Sequence, residues 1–437
     1  MTRARLDGLY FLLLGSLVFL LLGAALENAF PAGMLDFKVL YYPARCLLQH
    51  GDPYKENEVL RIYQTQGRDS SRDTEVSREI VTRYVYLPTA FSVTVPFAML
   101  PWGPAHHLWM ALTMGSLILA SYLAWTLGAN SAPIVSGALI GFVLANSEVL
   151  AILGNSAGIV VSLCVVAVWC FLRDRFVPVG IVCLAVSLAV KPHDAGLIWL
   201  YFLLAGGIYR RRALQVLLVT LILGTPAVLY ISNVAPNWIQ ELHSNLAAFA
   251  VPGGLNDPGL ASSGAHGLNM LLSLQTIISV FYDNPHIYNS ISILVCAPFF
   301  LLWVVLTLRS RPSLSKTWLA IASITAISLL PFYHRQYDAK LLLLTVPACA
   351  MLWAEGGRIG RIALILNTAG LVLTGDLPWA ILFSFINRLH LATSGLLSRL
   401  VVGVQVFPTP LVLLSIGILY LWAYAKRCST EAPSQAA

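Results

Sequence analysis

The sequence predicts an all-α protein, a polytopic transmembrane helical bundle, and three observations lead there. Of its 437 residues 58% are hydrophobic and only 11% charged, where a soluble domain carries roughly a quarter charged. The apolar residues come in long runs. Leu9–Leu26, Ser156–Leu172, Ala213–Tyr230 and Leu411–Ala425 each approach or reach the roughly 20 residues that cross a bilayer core as a helix. Third, the basic residues gather in short clusters between such runs. Strands would cross only as a closed barrel, whose short alternating segments are not found here.

The net charge of +7 follows the positive-inside pattern of membrane proteins, so no nucleic-acid partner is expected. The 7 cysteines offer neither a metal nor a disulfide framework. Cys164, Cys170, Cys183, Cys296 and Cys349 lie inside apolar runs, where a thiol behaves as a small hydrophobe. The first apolar run follows Arg3 and Arg5. It is longer than a signal-peptide core and lacks a clear small-x-small cleavage site, so it reads as a retained helix.

Charge fixes the expected topology. Arg3, Arg5, Arg173, Arg175, Arg210–Arg212, Arg309, Arg311, Lys316, Arg358, Arg361, Lys426 and Arg427 all fall at helix ends or in short links. Placing them in the cytoplasm gives helices at about 8–26, 105–127, 132–150, 156–172, 176–190, 194–208, 213–233, 286–308, 317–333, 338–354, 359–375 and 404–425. Both termini are then cytoplasmic. The chain forms one membrane domain, 1–425, with a short tail at 426–437. Two large extracytoplasmic loops follow, at 27–104 and 234–285. The proline-bounded stretch 87–103 is too short to cross and reads as an interfacial or re-entrant helix, as does 377–389.

This path places all 9 histidines on the outer side or at outer helix ends. Histidine exchanges protons near neutral pH, so proton chemistry is expected on that face. Asp36 stands just after the first helix, before an amphipathic stretch from Tyr41 to Leu48. A carboxylate there is placed to take a proton from a hydroxyl; a solvated loop acid or a helix cap has the same sequence. Lys191-Pro192-His193-Asp194 interrupts a long apolar stretch, with proline ending one helix and Asp194 a candidate N-cap of the next. Ionisable residues at such a break are functional candidates, and Lys191 suits a phosphate oxygen; a lysine snorkelling at a helix end is the alternative. The link Pro331–Lys340 holds His334, Arg335 and Lys340 among tyrosines. With Lys191 these cations form a candidate clamp for a phosphate, and a tyrosine belt at the membrane surface is the competing reading. Gly254 to Asn269, with His266 and Asn269, reads as a flap over a site or as an ordinary loop. Asn146, Glu148, Asn155 and Ser156 flank another outer turn that can contact a sugar.

Taken in order, these segments resemble the GT-C superfamily of lipid-phosphate-sugar glycosyltransferases, and within it glycosyltransferase family 87 (the DUF2029 type), the polyprenol-phosphate-mannose-dependent α-mannosyltransferases. The resemblance rests on Asp36-Phe37, on Tyr41 to Leu48 followed by Gly51-Asp52-Pro53-Tyr54, and on Tyr86-Leu87-Pro88 with Phe91 and Pro96. Gly154-Asn155-Ser156, Lys191-Pro192 and His334 before a leucine-rich helix complete it. Leu87 stands where the family pattern has its first proline, and Asn155-Ser156 where it has a Gly-Gln turn. The resemblance implies a polyprenyl-phosphate-sugar donor, a hexosyl (mannosyl) transfer with inversion, and Asp36 as general base. It implies Lys191, His334, Arg335 and Lys340 at the donor phosphate, and Tyr41, Tyr86, Asn155, His193, His266 and Asn269 near the substrates. No cofactor is expected; a divalent metal is left open, and the acceptor is unknown. Two other functions fit outward polar residues: a lipid or sugar transporter or flippase, and a lipid-linked-oligosaccharide ligase. A transporter would show mid-membrane charge and internal repeats, and neither stands out.

Overall fold

A computed structural model describes residues 2–30, 33–66, 74–259, 271–386 and 395–430. It is 81% helical, with no strand among the described residues. The helices are α1 (Arg3–Ala29), α2 (Leu35–Leu48), α3 (Glu56–Gln66), α4 (Glu75–Thr82), α5 (Phe91–Ala98), α6 (Trp102–Gly128) and α7 (Pro133–Leu144). They continue with α8 (Glu148–Leu153), α9 (Ala157–Arg173), α10 (Val177–Val190), α11 (Pro192–Leu204), α12 (Gly207–Val234) and α13 (Trp238–Phe249). Within the second large loop lies α14 (Leu274–Ser279), and beyond it come α15 (Pro285–Arg309), α16 (Leu314–Ser328), α17 (Val346–Glu355), α18 (Gly357–Leu373), α19 (Asp376–Ile386), α20 (Leu396–Val406) and α21 (Pro408–Thr430). A helix occupies each of the twelve expected positions, one of them opening as a 3₁₀ segment at Asp338–Thr345 that runs into α17. Six helical stretches are long and apolar enough to cross a bilayer: α1, α6, α7 with α8, α12, α15 and α21. The protein is therefore a polytopic membrane bundle. The 87–103 stretch holds only a 3₁₀ turn, Pro88–Ala90, and the eight-residue α5, about 12 Å of helix against a core of about 30 Å.

α1 and α7 approach backbone to backbone. A Cβ on Gly8 would run into the Pro133 carbonyl, one on Gly15 into Gly141, and one on Gly137 into the Gly8 carbonyl. Gly137 and Gly141 stand four apart, the small-residue spacing that lets membrane helices meet closely where lipid gives no hydrophobic drive.

Charge separates the two ends of the bundle. At one end Arg5 donates to Asn130 Oδ1 (2.9 Å) and Arg173 to the Thr126 carbonyl (3.0 Å), while Arg212 pairs with Asp174 and Arg427 with Glu355. The other end carries the first-loop subdomain. There α2 packs on α3, α4 and α5 around an aromatic core of Phe37, Tyr41, Tyr42, Tyr54, Tyr63, Tyr84 and Phe91. Asp52 Oδ1 accepts from the Tyr54 amide (3.0 Å), closing a turn at Asp52-Pro53.

Candidate active site

Two left-handed residues set the first half of the site. Met34 (φ 57°) opens α2 and donates its amide to the Ile152 carbonyl at 2.7 Å. Gly154 (φ 62°) closes α8, and its carbonyl accepts from Trp109 Nε1 at 2.8 Å. A side chain at 154 would be strained by that φ and would also collide with Met34 Sδ. Phe37 stacks on Trp109, with ring centroids 4.5 Å apart and planes inclined by 15°. These contacts bring the first turn of α2 against the α8–α9 link.

Asp36 therefore meets Asn155. The Asn155 Oδ1 accepts the Ala157 amide at 2.8 Å, so its amide nitrogen faces away and donates to Asp36 Oδ2 at 2.6 Å. Next to it Tyr86 Oη and Ser156 Oγ share a hydrogen bond of 3.2 Å. Burial pushes the Asp36 carboxyl above its usual range, while the Asn155 hydrogen bond and the Arg335 and Lys191 charges hold it down. Asp36, Asn155, Tyr86, Lys191 and Arg335 thus form one electrostatic neighbourhood.

The second half comes from two helix breaks. Lys191 ends α10 and is buried, not snorkelling. Its Nζ donates to Asp338 Oδ1 at 2.5 Å and lies 3.3 Å from Asp194 Oδ2. Asp194 sits in the first turn of α11 and makes no capping hydrogen bond, so its expected N-cap role does not hold. Its carboxylate turns inward to Lys191 and to His334, whose Nε2 is 3.7 Å from Asp194 Oδ1. Burial pushes the His334 imidazole below its usual range. Arg335 is fully engaged by the second loop and its own link. Nε donates to Tyr333 Oη (2.6 Å), one terminal nitrogen to the Leu255 carbonyl (2.7 Å) and to Asn256 Oδ1 (3.2 Å). The Leu272 amide donates to the His334 carbonyl at 2.9 Å. Residues of the second loop flanking 260–270 thus hold the His334-Arg335 link in place.

Two candidates fall elsewhere. Lys340 does not join the clamp: its Nζ donates to the Asn146 carbonyl (2.5 Å), the Thr374 carbonyl (3.2 Å) and Asp376 Oδ1 (3.1 Å). As the third residue of the 3₁₀ segment that Asp338 opens, it projects its side chain on a different face. Tyr41 is buried in the aromatic core, with its hydroxyl on the Leu100 carbonyl at 2.8 Å. His193 does lie at the site, its Nε2 3.8 Å from Asp194 Oδ1. His266 and Asn269, with most of the Gly254–Asn269 segment, lie outside the described residues. Asp194 and Asp338 are the residues that sequence reasoning left without a role in the site. Their signal was their place beside Lys191 and Arg335 in the two polar breaks.

A membrane-embedded bundle with one polar centre at its loop end, carrying an anchored carboxylate beside buried cations, has the make-up of a group-transfer enzyme of the membrane surface. The sequence profile of glycosyltransferase family 87 matches residues 84–331, more than half of the chain, and the chain belongs to that family. It is a membrane glycosyltransferase. No curated protein and no solved structure matches it. Tyr86, Asn155, Lys191 and His193 lie within the matched segment; Asp36 precedes it, and His334 and Arg335 follow it.

Proposed function

We propose that the protein transfers a hexose, mannose by family resemblance, from a polyprenyl-phosphate donor to an acceptor hydroxyl on the extracytoplasmic side. The observation that carries this reading is the 2.6 Å hydrogen bond from Asn155 that aims the Asp36 carboxylate in a neighbourhood shared with Lys191 and Arg335. Asp36 takes the proton of the acceptor hydroxyl as its oxygen bonds to the anomeric carbon. The bond from that carbon to the phosphate oxygen breaks, and the electron pair leaves on the lipid phosphate. Attack opposite the leaving group inverts the centre. Lys191 and Arg335 bring positive charge to the phosphate as it leaves, where each preorganised group contributes roughly 3 kcal/mol; His334, its Nδ1–H held by the Phe332 carbonyl, lines the same centre without a free proton to donate. The basic clusters at the opposite end of the bundle support an outward-facing site.

The test is a panel of polyprenyl-phosphate sugars incubated with membranes holding wild-type protein or Asp36→Asn. Transfer from one of them by the wild type and its loss in the variant, at equal expression, is the expected result. Full transfer by Asp36→Asn would remove the base from Asp36, and no transfer from any such donor would remove the donor class.

A further inference from the structure

The histidine pair at the site has a geometry that phosphate binding alone does not explain. His334 Nδ1 lies 3.2 Å from the Phe332 carbonyl, which fixes the proton on Nδ1 and leaves Nε2 with a bare lone pair. That lone pair faces Asp194 Oδ1, 3.7 Å away. Both residues are buried, 2% and 1% exposed, and neither of these atoms makes a hydrogen bond. Two bare acceptors this close in a low-dielectric setting repel, and a proton or a metal ion between them removes the conflict. His193 Nε2 joins them, 3.8 Å from the same Asp194 oxygen, and the three ligand atoms lie within 4.8 Å of one another.

The geometry points to a divalent transition-metal site formed by His193, Asp194 and His334. Two imidazoles and a carboxylate are the ligand set of an open zinc site, with a fourth position left for solvent or substrate. A metal-bound histidine typically donates its other N–H to a carbonyl, as His334 does to Phe332. Tetrahedral zinc ligands stand about 3.3 Å apart, so binding draws the donor atoms together by a few tenths of an ångström or more. Asp194 Oδ2 keeps its ion pair with Lys191, and only Oδ1 turns to the metal. Lys191 and Arg335 are already engaged by protein groups. A dication at the three ligands would add a positive centre that attracts a phosphate oxygen.

The test is zinc content and Co²⁺ absorption of detergent-purified protein carrying an affinity tag free of histidine, stripped with EDTA and reloaded. Wild type is expected to hold one zinc per chain and to give a Co²⁺ spectrum of a low-coordinate site. His193→Ala, His334→Ala and Asp194→Asn are each expected to weaken zinc binding by more than about tenfold, with unchanged behaviour for His286→Ala, at an exposed histidine on α15. His193 is 45% exposed in its side chain, so its alanine variant retains the fold, which an unshifted size-exclusion profile checks. Failure of wild type to bind zinc, or equal binding by His193→Ala, overturns the site. The metal's role at a phosphate rests on the proposed transfer reaction, but its binding does not. Zinc bound without any sugar transfer would sink that reaction and keep the site; transfer by a protein that binds no zinc would do the opposite.

Discussion

Two buried lysine–aspartate pairs stand at the loop end of the bundle, Lys191 with Asp338 and Lys340 with Asp376. Both are buried and both join helices far apart in sequence. Their surroundings differ. The Lys340 pair itself is closed: two carbonyls complete the ammonium, and Asp376 Oδ2 accepts the Val149 amide at 2.8 Å, while the Glu148 carboxyl beside it makes no hydrogen bond. Around Lys191 there is a second carboxylate, an imidazole lone pair without a hydrogen bond, and the field of Asp36. A satisfied pair ties α7, α8, α18 and α19 together. A pair with surplus acceptors holds chemistry in readiness. Buried ion pairs are weak evidence for stability in themselves, and the atoms left over tell the two kinds apart.

That contrast can be broken from either side. The largest effect is expected from Asp36→Asn, which removes the base and lowers transfer by roughly 10²–10⁴-fold with an unchanged melting curve, measured by a radiolabelled-sugar assay and by thermal unfolding in detergent. Lys191→Met is expected to lower transfer per folded molecule by roughly 10²-fold, the loss of one charge-stabilising group, and to cost stability as well, because Asp194 and Asp338 stay buried without their cation. Lys340→Met should cost stability alone: about 3 kcal/mol or more lost, since Asp376 is left buried and unpaired, with transfer per folded molecule unchanged. Equal activity losses in the two lysine variants would erase the distinction drawn here. The smallest effect belongs to Asn155→Ala, a shift of the pH profile. A base works ionised, so the raised pKa of Asp36 makes activity fall on acidification at a higher pH than for an ordinary carboxylate. Removing the Asn155 hydrogen bond takes away a group that favours the ionised form, and the acid limb should move further up. A limb that stays in place would show that Asn155 does not tune Asp36.

Helix positions were legible because lipid-facing runs announce themselves by composition alone. The candidate site was legible in part, because Asp36, Lys191, His334 and Arg335 are polar interruptions of those runs. What the chain could not display is which lysine meets which acid. Lys191 and Lys340 both stand near helix ends at the loop end of the bundle, and the partner of Lys191 lies 147 positions away. The 3₁₀ winding of Asp338–Thr345 decides that Asp338 faces Lys191 while Lys340 faces Asp376, and an apolar run gives no hint of winding. The inward turn of Asp194 was hidden for a related reason: an acid in a first turn reads as a cap until its partners are in place.

The glycine contact between α1 and α7 has a consequence in time. Gly8 meets its neighbours only once residues 133–141 have been made, roughly 6–25 s later at a synthesis rate of about 5–20 residues per second. During that interval the first helix stands in lipid without its main partner. It can do so because its backbone is satisfied within itself and its mean hydropathy reaches 2.5. The segment that follows it carries Asp36, whose anchor at Ile152 and Asn155 emerges only afterwards. The carboxylate is therefore made early and aimed late, and its neighbourhood with Lys191 and Asp338 is complete only once residue 338 has been made.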